Sequence, residues 1–385
     1  MKIKLNNILF YGIIIQIIAT QGIATFNFFK MFGHWELKTI LHPLSFFLIL
    51  GIFSIKAIKR VAITPLDLLF FLYLGATSIF LFFNVDSLKE GYLGFRDVYM
   101  LFVLIFIYNQ IYLTRKQWNF MLKFLFYLII VNLFFVALTY ILGPEKYMET
   151  LTGRFIWDMD PDYKFKITNF AGTKFWRTPG IVGEAGSLAY FSLLTFVLMD
   201  MDEKYKVKKY FALALTFLCF TRNAYLVILL YIIIKFAFQK KNFVKIYLIL
   251  KYSIPFIVLV VIYVAQLKLL SVKSVYYRIN HWINDINVPY NIFYGGAVGK
   301  SGAAVRGEGF AAILDNYYLL MLFSIGIIGI LLMILFIYEK ARPYRNLSIF
   351  CISLSITAIF IVLTHGIPFL VLFPLLFIKK DFEND

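Results

Sequence analysis

Residues 314–338 read LDNYYLLMLFSIGIIGILLMILFIY. After Asp315 the run carries no Asp, Glu, Lys or Arg before Glu339. About 20 apolar residues are what a helix needs to cross a hydrocarbon core of about 30 Å. Backbone N–H and C=O groups find no water there, so such a segment must bond to itself as a helix. Its apolar residues are continuous and show none of the period-two alternation of a membrane β-barrel. The fold therefore turns on how often this pattern recurs.

It recurs along the whole chain. The 385 residues are 61% hydrophobic, 19% aromatic and 15% charged, with a mean hydropathy of +0.80. Soluble domains are roughly 45–50% apolar and about 25% charged. Spans are expected near residues 8–27, 40–57, 66–84, 98–113, 120–142, 181–199, 208–221, 223–238, 248–267, 314–338, 346–363 and 367–378. The expected fold is an all-α polytopic protein of about 12 transmembrane helices, a single integral membrane domain over 1–385. The pairs flanking Arg222 and His365 could each be one long span or a tight hairpin. Charge placement favours hairpins: every second loop is basic, as at Lys56, Lys59 and Arg60, at Lys204–Lys209, at Lys240 and Lys241, and at Lys340–Arg345. Basic loops face the cytoplasm, which puts both termini there. The first run lacks a small-residue cleavage site and is expected to stay as a signal anchor.

The net charge of +17 would point to nucleic acid in a soluble protein. Here the lysines serve topology and anionic lipid, so membrane lipid is the expected partner and nucleic acid is not. Cys219 and Cys351 fall inside apolar runs, which argues against a disulfide or a metal site. The four histidines show no metal-ligand spacing. No metal or cofactor is expected.

Two outward loops are long, 143–180 and 268–313. Their aromatic residues argue for order, and loops of this length are usually functional when ordered. The first, with Trp157 and Trp176, should pack back onto the membrane surface. Arg177 sits where it meets the sixth span, and Glu184 lies near the apolar boundary, where an ionisable group is costly. The two either pair with each other or serve a ligand. Arg222 lies between two apolar runs and either snorkels or binds. The second loop carries Arg278, Trp282, Arg306 and Glu308. Its glycines, 295, 296, 299, 302, 307 and 309, match no nucleotide fingerprint and read as a flexible loop or a moving lid. Asp315 and Asn316 open the tenth span, where an Asp is either a cap or a base.

Taken in order, three segments resemble the O-antigen polymerase and O-antigen ligase family of bacterial envelope glycosyltransferases. They are Arg177-Thr178-Pro179-Gly180 with Glu184, Thr221-Arg222-Asn223, and Asp315-Asn316-Tyr317-Tyr318-Leu319 followed by Gly326-Ile327-Ile328-Gly329. Arg278 with Trp282 resembles a fourth element, and the likeness covers roughly residues 170–340. The ligases commonly carry histidine where this chain has Asp315, which favours a polymerase. The resemblance implies a GT-C-like fold in the bacterial inner membrane, with its active site facing the periplasm or exterior. It implies an inverting, metal-independent transfer of glycan from an undecaprenyl-diphosphate-linked oligosaccharide to a sugar hydroxyl. Asp315 and Glu184 are then the base candidates; Arg177, Arg222, Arg278, Arg306, Asn316 and Trp282 are the substrate-binding candidates. A chain-length-regulating membrane protein and a flippase are the implied partners. The alternatives are an O-antigen ligase and, in a different class, a flippase or transporter of the same lipid-linked oligosaccharide.

Overall fold

The computed structural model describes residues 2–34, 36–57, 61–152, 167–170, 173–238, 276, 279–285, 288–300, 302, 316–360, 363 and 366–381. It is mostly helical. In chain order the helices are α1 (Lys2–Ala19), α2 (Gly22–Met31), α3 (Leu37–Ala57), α4 (Pro65–Asn84) and α5 (Leu88–Phe95). A π-turn (Arg96–Met100) leads into α6 (Leu101–Tyr108). Then follow α7 (Arg115–Leu142), α8 (Pro144–Thr152), α9 (Ala185–Asp200), α10 (Lys209–Leu218), α11 (Arg222–Ala237), α12 (Tyr317–Ala341), α13 (Arg345–Thr357) and α14 (Ile367–Leu375). Two short strand pairs complete the described chain. β1 (Tyr112–Thr114) runs parallel to β4 (Lys379–Asp381), and β2 (Ile167–Phe170) antiparallel to β3 (Thr173–Trp176).

Among the described residues, α3, α4, the continuous Leu88–Tyr108, α7 and α12 are long and apolar enough to cross a membrane. Their outward faces are apolar too, with Phe82, Phe83, Phe134 and Leu331 exposed, as lipid contact requires. At the spans expected at 181–199, 208–221 and 223–238 the helices are only 16, 10 and 16 residues long, and other expected spans depart as well. The span expected at 98–113 begins earlier, at Leu88. The one expected at 248–267 lies outside the described residues. The one expected at 8–27 is broken: α1 and α2 meet at 95°. The break has a local cause. Gly22 and Ile23 donate their N–H groups to the Val182 and Ile181 carbonyls (3.1 and 2.8 Å), so a crossing segment takes up α2's first turn. A Cβ on Gly22 would lie 2.6 Å from the Val182 oxygen, which is why glycine stands there.

The pair flanking Arg222 is a hairpin. Asp200, ending α9, bonds Lys209 at the start of α10 (2.6 Å) and Lys235 near the end of α11. The chain therefore leaves and returns to the same end, turning at 219–221. The turn is tight, and Phe220 adopts a left-handed φ of 49°, unusual for a bulky side chain.

Polar contacts tie the basic loops together at one end of the bundle. Lys56 donates to the Gln110 carbonyl (3.2 Å), Gln117 to Asn7 (2.9 Å) and Trp118 to Asp202 (2.8 Å). Lys340 pairs with Asp67, joining α12 to α4 at 2.7 Å. The described segments 176–184 and 288–300 of the long loops lie toward the opposite end.

Candidate functional site

Segment 176–184 is held over the loop end of α7. The Tyr140 ring stacks on Trp176 and its hydroxyl donates to the Trp176 carbonyl (3.1 Å). Tyr147 in α8 donates to the Gly180 carbonyl (3.0 Å), and Ile181 N–H donates to Asn132 Oδ1 (3.0 Å). Gly180 takes a φ of 51°, and a Cβ there would sit 2.4 Å from Asn132 Oδ1. Arg177 thus leaves a segment fixed on both sides, and its side chain is half-buried.

At the same loop end Tyr225 stands in the first turn of α11, three residues after Arg222. The structure thus brings Arg177 and the Arg222 turn to one end of the bundle, although they are far apart in sequence. Arg222 itself is exposed. Glu184 precedes α9 in extended conformation, is exposed, and accepts a hydrogen bond from the Ser187 hydroxyl (2.7 Å). The N-terminus of α11 opens here, so the partial positive charge of its dipole adds to that of Arg222. This end of the bundle has the chemistry of an anion site.

Part of the second loop is packed into the helices. Its segment 291–299 runs into a break in α12. Gly326 leaves helical geometry (φ 66°, ψ −177°) roughly 14 Å below the first turn of α12, at about 1.5 Å per residue. A break at that depth strands backbone groups, and the inserted loop supplies their partners. Gly296 and Ala297 donate to the Ser324 and Phe323 carbonyls (3.1 and 2.9 Å), while Ile327 and Ile328 donate to the Ile292 and Phe293 carbonyls (2.9 and 3.2 Å). Irregular backbone survives at membrane depth only when satisfied in this way. Tyr73 and Asn84 of α4 fasten the insertion, at 2.7 Å to the Ile325 carbonyl and 2.8 Å to that of Gly296. A Cβ on Gly326 would meet the Phe293 oxygen at 2.2 Å, and one on Gly295 the Ser324 carbonyl carbon at 2.4 Å. Gly295, expected to lie in a flexible loop or a moving lid, instead permits close packing.

Asn316 caps α12, its Oδ1 accepting from the Tyr318 and Leu319 N–H groups (3.0 and 3.1 Å). The cap considered for Asp315 is therefore supplied by its neighbour. Trp282 lies half-buried in a π-turn (His281–Asp285), and its indole N–H is buried without a partner among the described residues. Arg278, Arg306, Glu308 and Asp315 lie outside the described residues.

Sequence reasoning missed a polar cluster beside the inserted loop. Arg96 and Asp97, on the π-turn, form an ion pair at 3.1 Å, with Asp97 1% exposed. Buried His42 contacts the Tyr92 hydroxyl through Nδ1 (3.2 Å). The charge of Arg96 reaches His42, and that of Asp97 reaches Tyr317 at the head of α12. The signal was present: two adjacent ionisable residues at the start of an expected span. π-turns also tend to mark functional sites. Among the described residues no group of His, Cys, Asp or Glu could hold a metal ion.

Compared with models of known families, with curated proteins and with solved structures, the chain matches none. Fold and composition define a mostly helical protein whose apolar helices suit a membrane.

Proposed function

We propose that the chain is a polysaccharide polymerase of the bacterial inner membrane, GT-C-like, with about twelve crossings and its loop end outside. It transfers glycan from a polyprenyl-diphosphate-linked donor to a sugar hydroxyl of a lipid-linked repeat unit. One observation carries the reading: Arg177, on the segment fixed over the end of α7, and the Arg222 turn both stand at the loop end of the bundle. The leaving group is a lipid diphosphate, and its developing charge is what arginine forks and helix dipoles stabilise. Arg278 and Arg306 complete the clamp from the second loop. Asp315, or else Glu184, accepts the proton of the attacking hydroxyl. The hydroxyl oxygen bonds to the anomeric carbon from the face opposite the leaving diphosphate, which inverts the configuration.

A transporter of the same lipid-linked glycan is the second reading. The interrupted α12 favours it, because transporters use broken helices near the midplane. The backbone groups at that break are already taken by the inserted loop, so they are not offered to a passing substrate. The test is incubation of the purified protein in nanodiscs with lipid-linked repeat units. Polymer should form, with release of lipid diphosphate. No polymer in nanodiscs, together with movement of repeat units across a vesicle bilayer, would replace the enzyme by a flippase. Polymer that forms in cells lacking the gene but fails to reach its anchor would make it a ligase.

A further inference from the structure

We propose that the cleft between α2 and α8 is a docking site for one phospholipid of the leaflet at the loop end. The cleft is about 450 Å³ and is lined by Asn27, Lys30 and Met31 of α2 and by Thr150 and Leu151 of α8. Lys30, Met31 and Thr150 are exposed, so it opens on the surface of the protein. Its depth follows from two hydrogen bonds. Gln117 donates to Asn7 at the basic end of the bundle, and Asn132 donates to Gln21, both at 2.9 Å. α1 therefore runs beside the membrane-crossing α7 in the same direction, and its far end lies about 20 Å from the basic end, at about 1.5 Å per residue. α2 leaves α1 at 95°, roughly in the plane of the membrane. Beyond that level α7 still exposes Phe134 and Ile141. A hydrocarbon core is about 30 Å thick, so α2 lies at the depth of the leaflet rather than above it.

The side chains divide as a phospholipid does. Phe28, Met31 and Phe32 recur at helical spacing and are 57, 84 and 64% exposed. The Phe28 and Phe32 rings pack edge to face at 5.2 Å, which makes a continuous apolar edge for acyl chains. Met31 belongs both to that edge and to the cleft, so chains lying on the edge lead a headgroup to Asn27, Lys30 and Thr150. These three offer donors to phosphate oxygens: an ammonium has three, an amide two and a hydroxyl one. The Lys30 ammonium also lies 5.9 Å from the centre of the Phe26 ring. The volume suits a headgroup of glycerol and phosphate rather than a diphosphate with its oligosaccharide. The walls of the cleft also grip the segment that follows Arg177. Gly22 and Ile23, at the start of α2, donate to the Val182 and Ile181 carbonyls, and Tyr147 of α8 donates to that of Gly180. A lipid that bridges α2 and α8 therefore braces that segment from both sides.

The probe is a mixed phosphatidylethanolamine and phosphatidylglycerol bilayer. The full chain is extracted from nanodiscs of this composition into mild detergent, and native mass spectrometry counts the lipid it keeps. One phospholipid should stay with each chain. Lys30→Met keeps the aliphatic stem and should lower retention by about tenfold or more, the effect of losing hydrogen bonds to a charged group. Leu151→Trp fills the cleft and should abolish retention. Leu331→Trp, on the exposed face of α12, should leave it unchanged. Hydrogen exchange at the Gly22 and Ile23 amides should quicken in the variants that lose the lipid. A wild-type chain that keeps detergent alone, or a lipid-linked glycan in place of a phospholipid, overturns the site. Full retention in folded Leu151→Trp does so too, and Lys30→Met decides the matter if Leu151→Trp fails to fold. The outcome is independent of the reaction: a chain that keeps the phospholipid but forms no polymer loses the polymerase reading and retains this site.

Discussion

Gly326 shows how one residue can hold two elements in place. Its φ of 66° with ψ near 180° is backbone open essentially to glycine alone, and its α-carbon faces the Phe293–Tyr294 peptide. Gly326→Ala should destabilise the protein by about 3 kcal/mol or more, combining a strained backbone with a clash against main chain. Thermal unfolding in detergent would check this. Gly51, whose Cβ would meet nothing within 4 Å, provides the contrast and should tolerate alanine. Asp315→Asn addresses chemistry instead. Since Asn316 already caps α12, the change leaves the helix start alone and removes only proton acceptance. Polymer formation should fall by about 10²–10⁴-fold, the range typical of general acid–base catalysis. An active Asp315→Asn beside an inactive Glu184→Gln would transfer the base role to Glu184. Arg177→Ala should stop elongation at normal protein level, and lysine should rescue it poorly because it lacks the bidentate fork. Full polymer length in a well-expressed Arg177→Ala variant would remove this residue from the diphosphate clamp.

At the scale of elements, α4 and α12 meet through more than apolar packing. Phe70 and Phe336 pack with ring centroids 4.9 Å apart, and one turn along Asp67 pairs with Lys340. Asp67 is fully buried and also accepts from the Thr64 backbone N–H (3.0 Å), closing a capping box at the start of α4. Removing only the cation strands a buried carboxylate, so Lys340→Met should cost about 3–5 kcal/mol. The double change Asp67→Leu with Lys340→Met should recover much of that loss, because a buried pair replaced by apolar side chains is often close to neutral. A double variant no more stable than Lys340→Met in the same melt would show that the capping box, rather than the pair, sets the cost.

For the molecule as a whole, helix direction and charge agree. Lys56, Lys209, Lys235 and Lys340 gather at one end and the described segments 176–184 and 288–300 lie toward the other, so single cysteines introduced at the two ends should label from opposite sides of the membrane. Both native cysteines are buried, which leaves a quiet background for such labelling. Positions 206 and 342 should react from the cytoplasm and position 300 from outside. Labelling of 206 and 300 from one side would break the alternation.

Several of these features are legible without coordinates. Long apolar runs must become helices wherever water is absent, so the helical class and the long helices at 40–57, 66–84, 120–142 and 314–338 follow from the sequence alone. The Arg222 hairpin is also legible, because lysines on both sides of two short runs admit one sign of topology. Arg177 and Arg222 stand out because charge is expensive beside apolar runs. Other features depend on distant partners. Nothing in SIGIIG announces that α12 breaks there, since Gly326 alone can be helical; the break exists because Ile292–Ala297 supplies its lost hydrogen bonds. Gly295 and Gly296 look mobile by composition and are packed where they meet α12. The bend after α1 needs the Val182 carbonyl, and the cluster of His42, Asp97 and Tyr317 needs α3, the π-turn and α12 side by side. Hydropathy is a local property and can be read along the chain, whereas satisfaction of buried polar groups is a property of pairs that only the tertiary structure brings together.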